Sequence, residues 1–77
     1  MAKEKERIFT TEEKMVGVSF NPSGNLQVDI IKEQSARLIK FIRLCPCDDS
    51  FQEMSYDRAI EDIITACMWA VKGITKV

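Results

Sequence analysis

The chain has 77 residues, of which 11 are basic and 12 acidic, giving a formal net charge of −1. A chain of this length forms one small domain and buries only about 60% of the surface that its unfolded form exposes. The charge balance argues against a general DNA- or RNA-binding module, which would carry a basic excess, but leaves room for a local basic pocket. No apolar run approaches the roughly 20 residues of a membrane span. The charged N-terminus has no apolar stretch behind it, so neither a membrane anchor nor a signal peptide is expected.

Domains of this size usually need disulfides, a metal or partner subunits as well as a core. The three cysteines, Cys45, Cys47 and Cys67, are an odd number and do not make a disulfide framework. The sequence has no histidine, and Cys45-Pro46-Cys47 lacks the spacing of a zinc knuckle, so no metal or cofactor is expected. A soft-metal or redox role for this pair is the alternative to a helix-ending cysteine followed by an exposed one. Partner subunits are the remaining source of stabilisation, so a homo-oligomer is predicted.

The first predicted element is a flexible tail over residues 1–8, where charged residues alternate and little can be buried. A short helical turn follows over Thr11–Met15, because Thr10 and Glu13 have the spacing of a capping box. Gly17 is expected to end this turn, since glycine readily adopts the left-handed conformation found after helices.

Residues 16–25 form a predicted loop, because they include two glycines, a proline, two asparagines and two serines. The loop precedes a long helix, and the N–H groups and partial positive charge of a helix N-terminus suit phosphate. The alternative to a phosphate site is an ordinary capped helix start that binds no ligand. The residues predicted to contact an anionic ligand here are Phe20, Asn21, Ser23, Gly24, Asn25 and, two turns into the helix, Lys32.

Two long amphipathic helices are predicted, roughly Asn25–Leu44 and Ser55–Ile74, with Pro46 preventing the first from continuing. The seam of the first helix steps by three and four residues, as in coiled coils: Val28, Ile31, Ser35, Leu38, Ile42 and Cys45. A second apolar set lies off this seam: Ile30, Ile39 and Phe41. The stripe of the second helix is Ile60, Ile63 or Ile64, Cys67, Val71 and Ile74.

The second helix is apolar on more than one face, because Met68 and Trp69 fall outside its stripe. In a two-helix chain only other subunits can cover the second face. The predicted fold class is therefore all-α: an antiparallel two-helix hairpin with a short N-terminal helical turn, over residues 9–77, assembling into a helical homo-oligomer. The predicted subunit contacts are Ile31, Leu38, Ile42, Ala66, Met68, Trp69 and Ala70.

Catalytic chemistry finds little support in the sequence. The absence of histidine excludes nucleophilic pairs of the Cys–His or Ser–His kind. The carboxylates Glu61 and Asp62 are adjacent and diverge around a helix, so they do not form an acid/base pair. A non-enzymatic protein is predicted, either a binder of an anionic ligand or a partner of other proteins.

Two segments of the chain resemble a pattern that recurs in small phage proteins. One is Val16–Asn25 (VGVSFNPSGN), running into Val28–Lys32 (VDIIK), and the other is Asp57–Ile60 (DRAI), followed by Ala66–Ile74 (ACMWAVKGI). Together they look like the helical-hairpin family of phage anti-CBASS and anti-Thoeris proteins, "sponges" that sequester cyclic nucleotide immune signals. The resemblance covers roughly residues 9–76.

This resemblance implies a compact oligomer, commonly a hexamer, that binds cyclic di- or trinucleotides between protomers without degrading them. Members hold the cyclic dinucleotide with an aromatic residue near the N-terminus and a lysine early in the first long helix. Lys32 matches the lysine by its position, and the aromatic is either Phe9 or Phe20. Arg58 and Thr65 lie close to where some members bind larger cyclic oligonucleotides.

A protein of this kind would act in the cytoplasm of the infected bacterial host. The alternative is a small helical oligomeric phage interaction or regulatory protein with no small-molecule ligand.

Overall fold

The computed structural model describes residues 8–76, and that part of the chain contains three helices and no strand. Helix α1 spans Thr11–Val16, α2 spans Leu26–Arg43 and α3 spans Ser50–Thr75. The two long helices pack against each other as the hairpin, and α1 packs mainly against α2 and to a lesser extent against α3. The all-α hairpin with a short N-terminal helix is thus confirmed.

The predicted flexible tail lies largely outside the described residues. Of residues 1–8, the structure describes Ile8, which is almost fully exposed. Val77 at the other end also lies outside the described part. The prediction of a flexible tail therefore stays a prediction.

Local hydrogen bonds fix the start of helix α1, a glycine ends it, and an ion pair adds to its packing against α2. The Thr10 hydroxyl accepts a hydrogen bond from the Glu13 N–H, at 3.1 Å, and the Glu13 carboxylate accepts one from the Thr10 N–H, at 2.9 Å. This is the predicted capping box. Gly17 ends the helix in the left-handed region, at φ 71°. An ion pair of 2.8 Å between Arg43 and Glu12 joins α1 to the end of α2.

The buried stripe of α2 differs from the predicted seam. Val28 is buried as predicted, but the other buried positions are Lys32, Ala36 and Ile39. Leu38 and Cys45 from the seam are exposed, and Ile31, Ser35 and Ile42 are half-buried. The stripe is displaced by one residue, or about 100° around the helix, because α2 packs against both α1 and α3. Periodicity alone does not reveal the second contact.

Helix α3 begins at Ser50, so the predicted start at Ser55 is wrong. The Asp49 carboxylate accepts a hydrogen bond from the Gln52 N–H, at 2.8 Å, and the Gln52 side-chain oxygen accepts one from the Asp48 N–H, at 2.7 Å. These reciprocal bonds satisfy backbone donors that a helix start leaves unpaired. The acidic connector therefore serves as the N-cap of α3.

The hydrophobic core is small for the apolar content of the chain. Its buried members are Val16, Val18, Ala36, Ile39 and Cys67. The predicted stripe of α3 is confirmed, since its remaining members are half-buried, and most of them pack against this core: Ile60, Ile63, Ile64, Val71 and Ile74. The molecule measures 49 × 35 × 12 Å along its principal axes, so it is too thin to enclose many side chains.

Much apolar surface stays exposed as a result. The largest exposed apolar side chains on the long helices are Leu26, Ile30, Leu38, Phe41, Leu44, Phe51, Met54, Met68 and Trp69. Large contiguous apolar patches on a protein surface often mark interaction sites, so these side chains are candidates for contacts with a partner. Among the described residues, none of the helices has the length and apolar character that crossing a membrane requires.

Candidate ligand-binding site

The loop between α1 and α2 is held together by its own polar side chains. The Asn21 amide donates to the Asn25 carbonyl and to the Asp29 carboxylate, both at 2.9 Å. The Ser23 hydroxyl donates to the Asn21 side-chain oxygen at 2.8 Å and accepts from the Asn25 N–H at 3.2 Å. Asn21, Ser23 and Asn25 were predicted to contact a ligand. In the structure their first role is to fix the shape of the loop.

The start of α2 is likewise occupied by the chain itself. The Asn25 side-chain oxygen accepts hydrogen bonds from the Gln27 N–H, at 2.7 Å, and the Val28 N–H, at 3.4 Å. The Asp29 carboxylate adds a negative charge to the first turn. An anion at this helix start would compete with both groups. Attraction of an anion to the loop therefore depends on lysine side chains nearby.

Lys32 is the one buried charged residue in the described part of the chain, at 7% exposure. Its ammonium group donates hydrogen bonds to the Gly17 carbonyl, at 3.0 Å, and to the Phe20 carbonyl. The Nζ atom also lies 5.6 Å from the centre of the Phe20 ring, within the range of a cation–π contact. Lys32 thus fastens the loop to α2. An ammonium group has three N–H donors, and the third has no partner among the described residues.

A cleft of about 290 Å³ lies beside this loop, and its walls are almost entirely apolar. One wall comes from the loop and α2: Phe20, Asn21, Pro22, Ser23, Val28 and Lys32. The other comes from the last turns of α3: Val71, Lys72 and Thr75. Four residues predicted to contact a ligand therefore meet here: Phe20, Asn21, Ser23 and Lys32.

The wall from α3 was not predicted as part of the site. A signal for it was present in the sequence, because an antiparallel hairpin brings the end of its second helix beside the start of its first. Lys72 and Thr75 fall in that end. Lys32 and Lys72 also line a second apolar cleft, of about 260 Å³, together with Met15 and Met68. The two lysines therefore stand between two adjoining clefts.

The remaining predicted ligand contacts lie elsewhere. Phe9 packs against the hydrophobic core, so of the two aromatic candidates Phe20 is the one that lines the cleft. Arg58 is exposed on α3 and forms an ion pair of 3.3 Å with Asp62. Thr65 is exposed on the same face of α3, two turns further along. Gly24 is exposed at φ 67°, and neither it nor Asn25 lines the cleft.

A larger cleft, of about 520 Å³, lies at the other end of the hairpin. Cys45 and Cys47 line it, and its charged lining residues are three carboxylates, Glu53, Asp57 and Glu61, and one cation, Arg43, which is paired with Glu12. Carboxylates repel phosphate, so this cleft does not suit a polyanionic ligand despite its size. Within residues 8–76, no three cysteine, aspartate or glutamate side chains converge as a metal site.

The predicted subunit contacts divide into two groups by exposure. Leu38, Ala66, Met68, Trp69 and Ala70 are exposed and accessible to a partner. Ile31 and Ile42 are half-buried, and Ile31 packs against the hydrophobic core. The role of all seven in assembly stays a prediction.

The comparisons with known proteins agree with this architecture. The model of the Acb2/Tad1 hairpin domain matches residues 11–75, which include all three helices. The chain therefore belongs to the Acb2/Tad1 hairpin family, the family of phage anti-CBASS/anti-Thoeris cyclic-nucleotide sponge proteins. The resemblance noted from the two sequence segments is confirmed. No curated protein and no solved structure matches the chain.

Proposed function

We propose that this protein is a phage anti-defence protein that binds cyclic oligonucleotide immune signals, cyclic di- or trinucleotides, and sequesters them without degrading them. The observation that carries the proposal is the apolar cleft beside the loop, where an exposed aromatic ring and two lysines meet. A nucleotide needs such a combination, because bases stack on aromatic rings and phosphates pair with cations. Membership in a family of cyclic-nucleotide sponges supports the same function.

The dimensions of the cleft support binding between protomers. At about 290 Å³ it is at the lower limit of pockets that enclose a small molecule, which span about 300–1,000 Å³. One protomer therefore covers part of a ligand that carries two nucleotides. A symmetric pair of protomers offers each wall twice and so suits a ligand with near two-fold symmetry. We propose a homo-oligomer, with a hexamer favoured.

The exposed apolar side chains supply the surface for that assembly. Met68 lines the second cleft and Trp69 contacts Lys72, and their exposed fractions are 56% and 67%. With Leu38, Ala66 and Ala70 they are the contacts that we propose between subunits, and assembly would complete the site. Ile31 and Ile42 are proposed to support these contacts from the half-buried edge of α2.

Sequestration requires affinity and abundance, and it requires no catalytic group. We therefore propose a non-enzymatic protein that needs no cofactor or metal, binds no DNA or RNA duplex and makes no use of a membrane. Its place of action would be the cytoplasm of the infected bacterial host, where the immune signals are made. Arg58 and Thr65 are proposed contacts for larger cyclic oligonucleotides, and Phe9, Gly24 and Asn25 are proposed to support the first site.

The test is calorimetry of the purified protein against a panel of cyclic di- and trinucleotides. We expect binding of at least one, and we expect the bound molecule to be released intact when the protein is denatured. Replacing Phe20 by Ala should weaken binding about 5- to 150-fold, because stacking on a base contributes about 1–3 kcal/mol. Replacing Phe41 by Ala is the matched control, since Phe41 is equally exposed and lies outside the cleft. A panel without any binding would contradict the proposal.

A second candidate function is a small helical oligomeric phage interaction or regulatory protein with no small-molecule ligand. The observation in its favour is a set of exposed apolar residues around the connector, remote from the cleft: Phe41, Leu44, Phe51 and Met54. This candidate predicts that substitutions in the cleft leave function intact. It would replace the first proposal if no cyclic nucleotide binds and Phe41→Ala abolishes anti-defence activity in infected cells.

A further inference from the structure

The cleft of about 520 Å³ at the connector end of the hairpin has the shape of a groove between helices. Its long wall is one face of α3, on which lining residues recur at steps of three and one: Glu53, Tyr56, Asp57, Ile60, Glu61 and Ile64. At about 1.5 Å per residue this face is roughly 16 Å long, or about three helical turns. The opposite wall comes from α1, the end of α2 and the connector between α2 and α3: Met15, Ile42, Arg43, Cys45 and Cys47.

The bottom of this groove is apolar and its outer edge is acidic. Ile60 and Ile64 are half-buried and pack against the hydrophobic core. Glu53, Asp57 and Glu61 are exposed and lie about one turn apart along the edge. Within the described part of the chain, none of these three carboxylates forms an ion pair. The groove therefore presents uncompensated negative charge beside an apolar floor.

The surroundings of the groove have the same character. The Tyr56 hydroxyl donates a hydrogen bond to the Pro46 carbonyl, at 3.0 Å, and so ties the connector to α3. An adjoining cleft is lined by the exposed Met54 together with the same three carboxylates of α3. Apolar surface thus lies on both sides of the acidic edge.

We propose that this groove binds an amphipathic helix of a partner protein, one with lysine or arginine residues beside its apolar face. A helix that binds in a groove places apolar residues at i, i+3, i+4 and i+7 against the floor, and three turns of α3 match that spacing. The basic residues of the partner would meet the carboxylate edge. The inference does not rest on the proposed function, because this groove lies at the other end of the hairpin from the ligand cleft.

A second copy of the chain fits the groove less well than such a partner. Two acidic grooves that faced each other would bring like charges together. The exposed cations of α2 that another copy could offer, Arg37 and Lys40, share a cleft with Glu13 and Glu33. Their charge is therefore partly balanced within their own chain, whereas a basic helix without such carboxylates is attracted more strongly.

The test uses a fluorescein-labelled peptide of leucine and lysine, about 18 residues long and patterned as an amphipathic helix. The comparison peptide has glutamate at every lysine position. Fluorescence anisotropy with the full-length protein measures the affinity of each. We expect the basic peptide to bind, with an affinity that falls as salt screens the charges, and the acidic peptide not to bind.

A pair of charge reversals tests the carboxylate edge. A single exposed ion pair changes an affinity by about 1.5- to 5-fold. Glu61→Lys replaces one attraction with a repulsion, so it should weaken binding of the basic peptide by about 2- to 30-fold, and Glu61→Gln should lose less. The matched control is Glu33→Lys, which changes the net charge equally at an exposed position outside the groove. Its affinity should stay within about twofold of wild type.

The thiols report where the peptide binds. Cys45 and Cys47 are exposed and line the groove, whereas Cys67 is buried elsewhere. The bound basic peptide should slow alkylation of Cys45 and Cys47 by iodoacetamide, followed by mass spectrometry, and the acidic peptide should leave the rate unchanged.

Three results would overturn the proposal. The first is equal binding of the two peptides, or no binding of the basic one. The second is an equal loss of affinity in Glu61→Lys and Glu33→Lys, because the effect would then come from the general charge of the protein. The third is that raising the protein concentration alone protects Cys45 and Cys47, while light scattering shows a smaller assembly for Glu61→Lys. In that case a second copy covers the groove.

Discussion

Replacing Lys32 by Met tests whether this lysine holds the loop. Methionine is similar in length and keeps the apolar stem, but it removes the charge and both hydrogen bonds. The carbonyls of Gly17 and Phe20 then lose their shared donor. A variant at this position therefore separates packing of the stem from bonding of the ammonium group.

The expected change in the free energy of unfolding follows from two opposing contributions. Each hydrogen bond from a charged donor contributes about 1.5–3 kcal/mol, so the two together contribute about 3–6 kcal/mol. Burying the ammonium group costs several kcal/mol in lost hydration, and methionine removes that cost. The unpaired carbonyls can regain water, since they lie in a loop. The net loss in the free energy of unfolding should be about 2 kcal/mol.

The assay is urea and thermal unfolding followed by circular dichroism, at one fixed protein concentration because assembly of the proposed oligomer would be coupled to folding. A loss of about 2 kcal/mol lowers the midpoint of thermal unfolding by about 8–16 °C in a domain of this size. Lys40→Met is the control, because Lys40 is an exposed lysine on the same helix. It should stay within about 0.5 kcal/mol of wild type. Equal stability of the two variants would refute the bonding of Lys32 to the loop.

Three further predictions concern two glycines, the N-cap of α2 and Tyr56 on α3. Gly17→Ala should destabilise the fold by about 1 kcal/mol, because φ is 71° there and a side chain disfavours that conformation. Gly73→Ala inside α3 should stabilise it by about 0.5–1 kcal/mol. In urea unfolding, the two variants should therefore change the free energy of unfolding in opposite directions. Asn25→Ala should cost about 1 kcal/mol by removing the N-cap of α2, and an unchanged urea midpoint would contradict the cap. The pKa of Tyr56 is raised above its ordinary value of 10.0 by partial burial and then by neighbouring negative charges. Its contribution to stability is therefore present below pH about 10 and is lost as pH rises through the raised pKa. The measurement is the difference in unfolding free energy between wild type and Tyr56→Phe as a function of pH. This difference should shrink as pH rises above about 10.

The sequence by itself determined the features that depend on neighbouring residues. The capping box of Thr10 and Glu13 and the end of α1 at Gly17 follow from residues within a few positions of each other. The helical period of α3 is strong enough that the predicted stripe is the one that faces the core, with Cys67 buried and the other members half-buried. Family membership was also readable, because two short segments carry the resemblance.

The tertiary structure decided which faces and side chains come together. The stripe of α2 turned by one residue because a third helix packs beside it, and periodicity carries no information about that contact. Lys32 was predicted as a ligand contact from its position alone. Its burial and its bonds to Gly17 and Phe20 became visible only with the loop folded back onto α2. Lys72 entered the cleft because the end of α3 lies beside the start of α2, and such a meeting of distant residues is fixed by packing, not by local sequence.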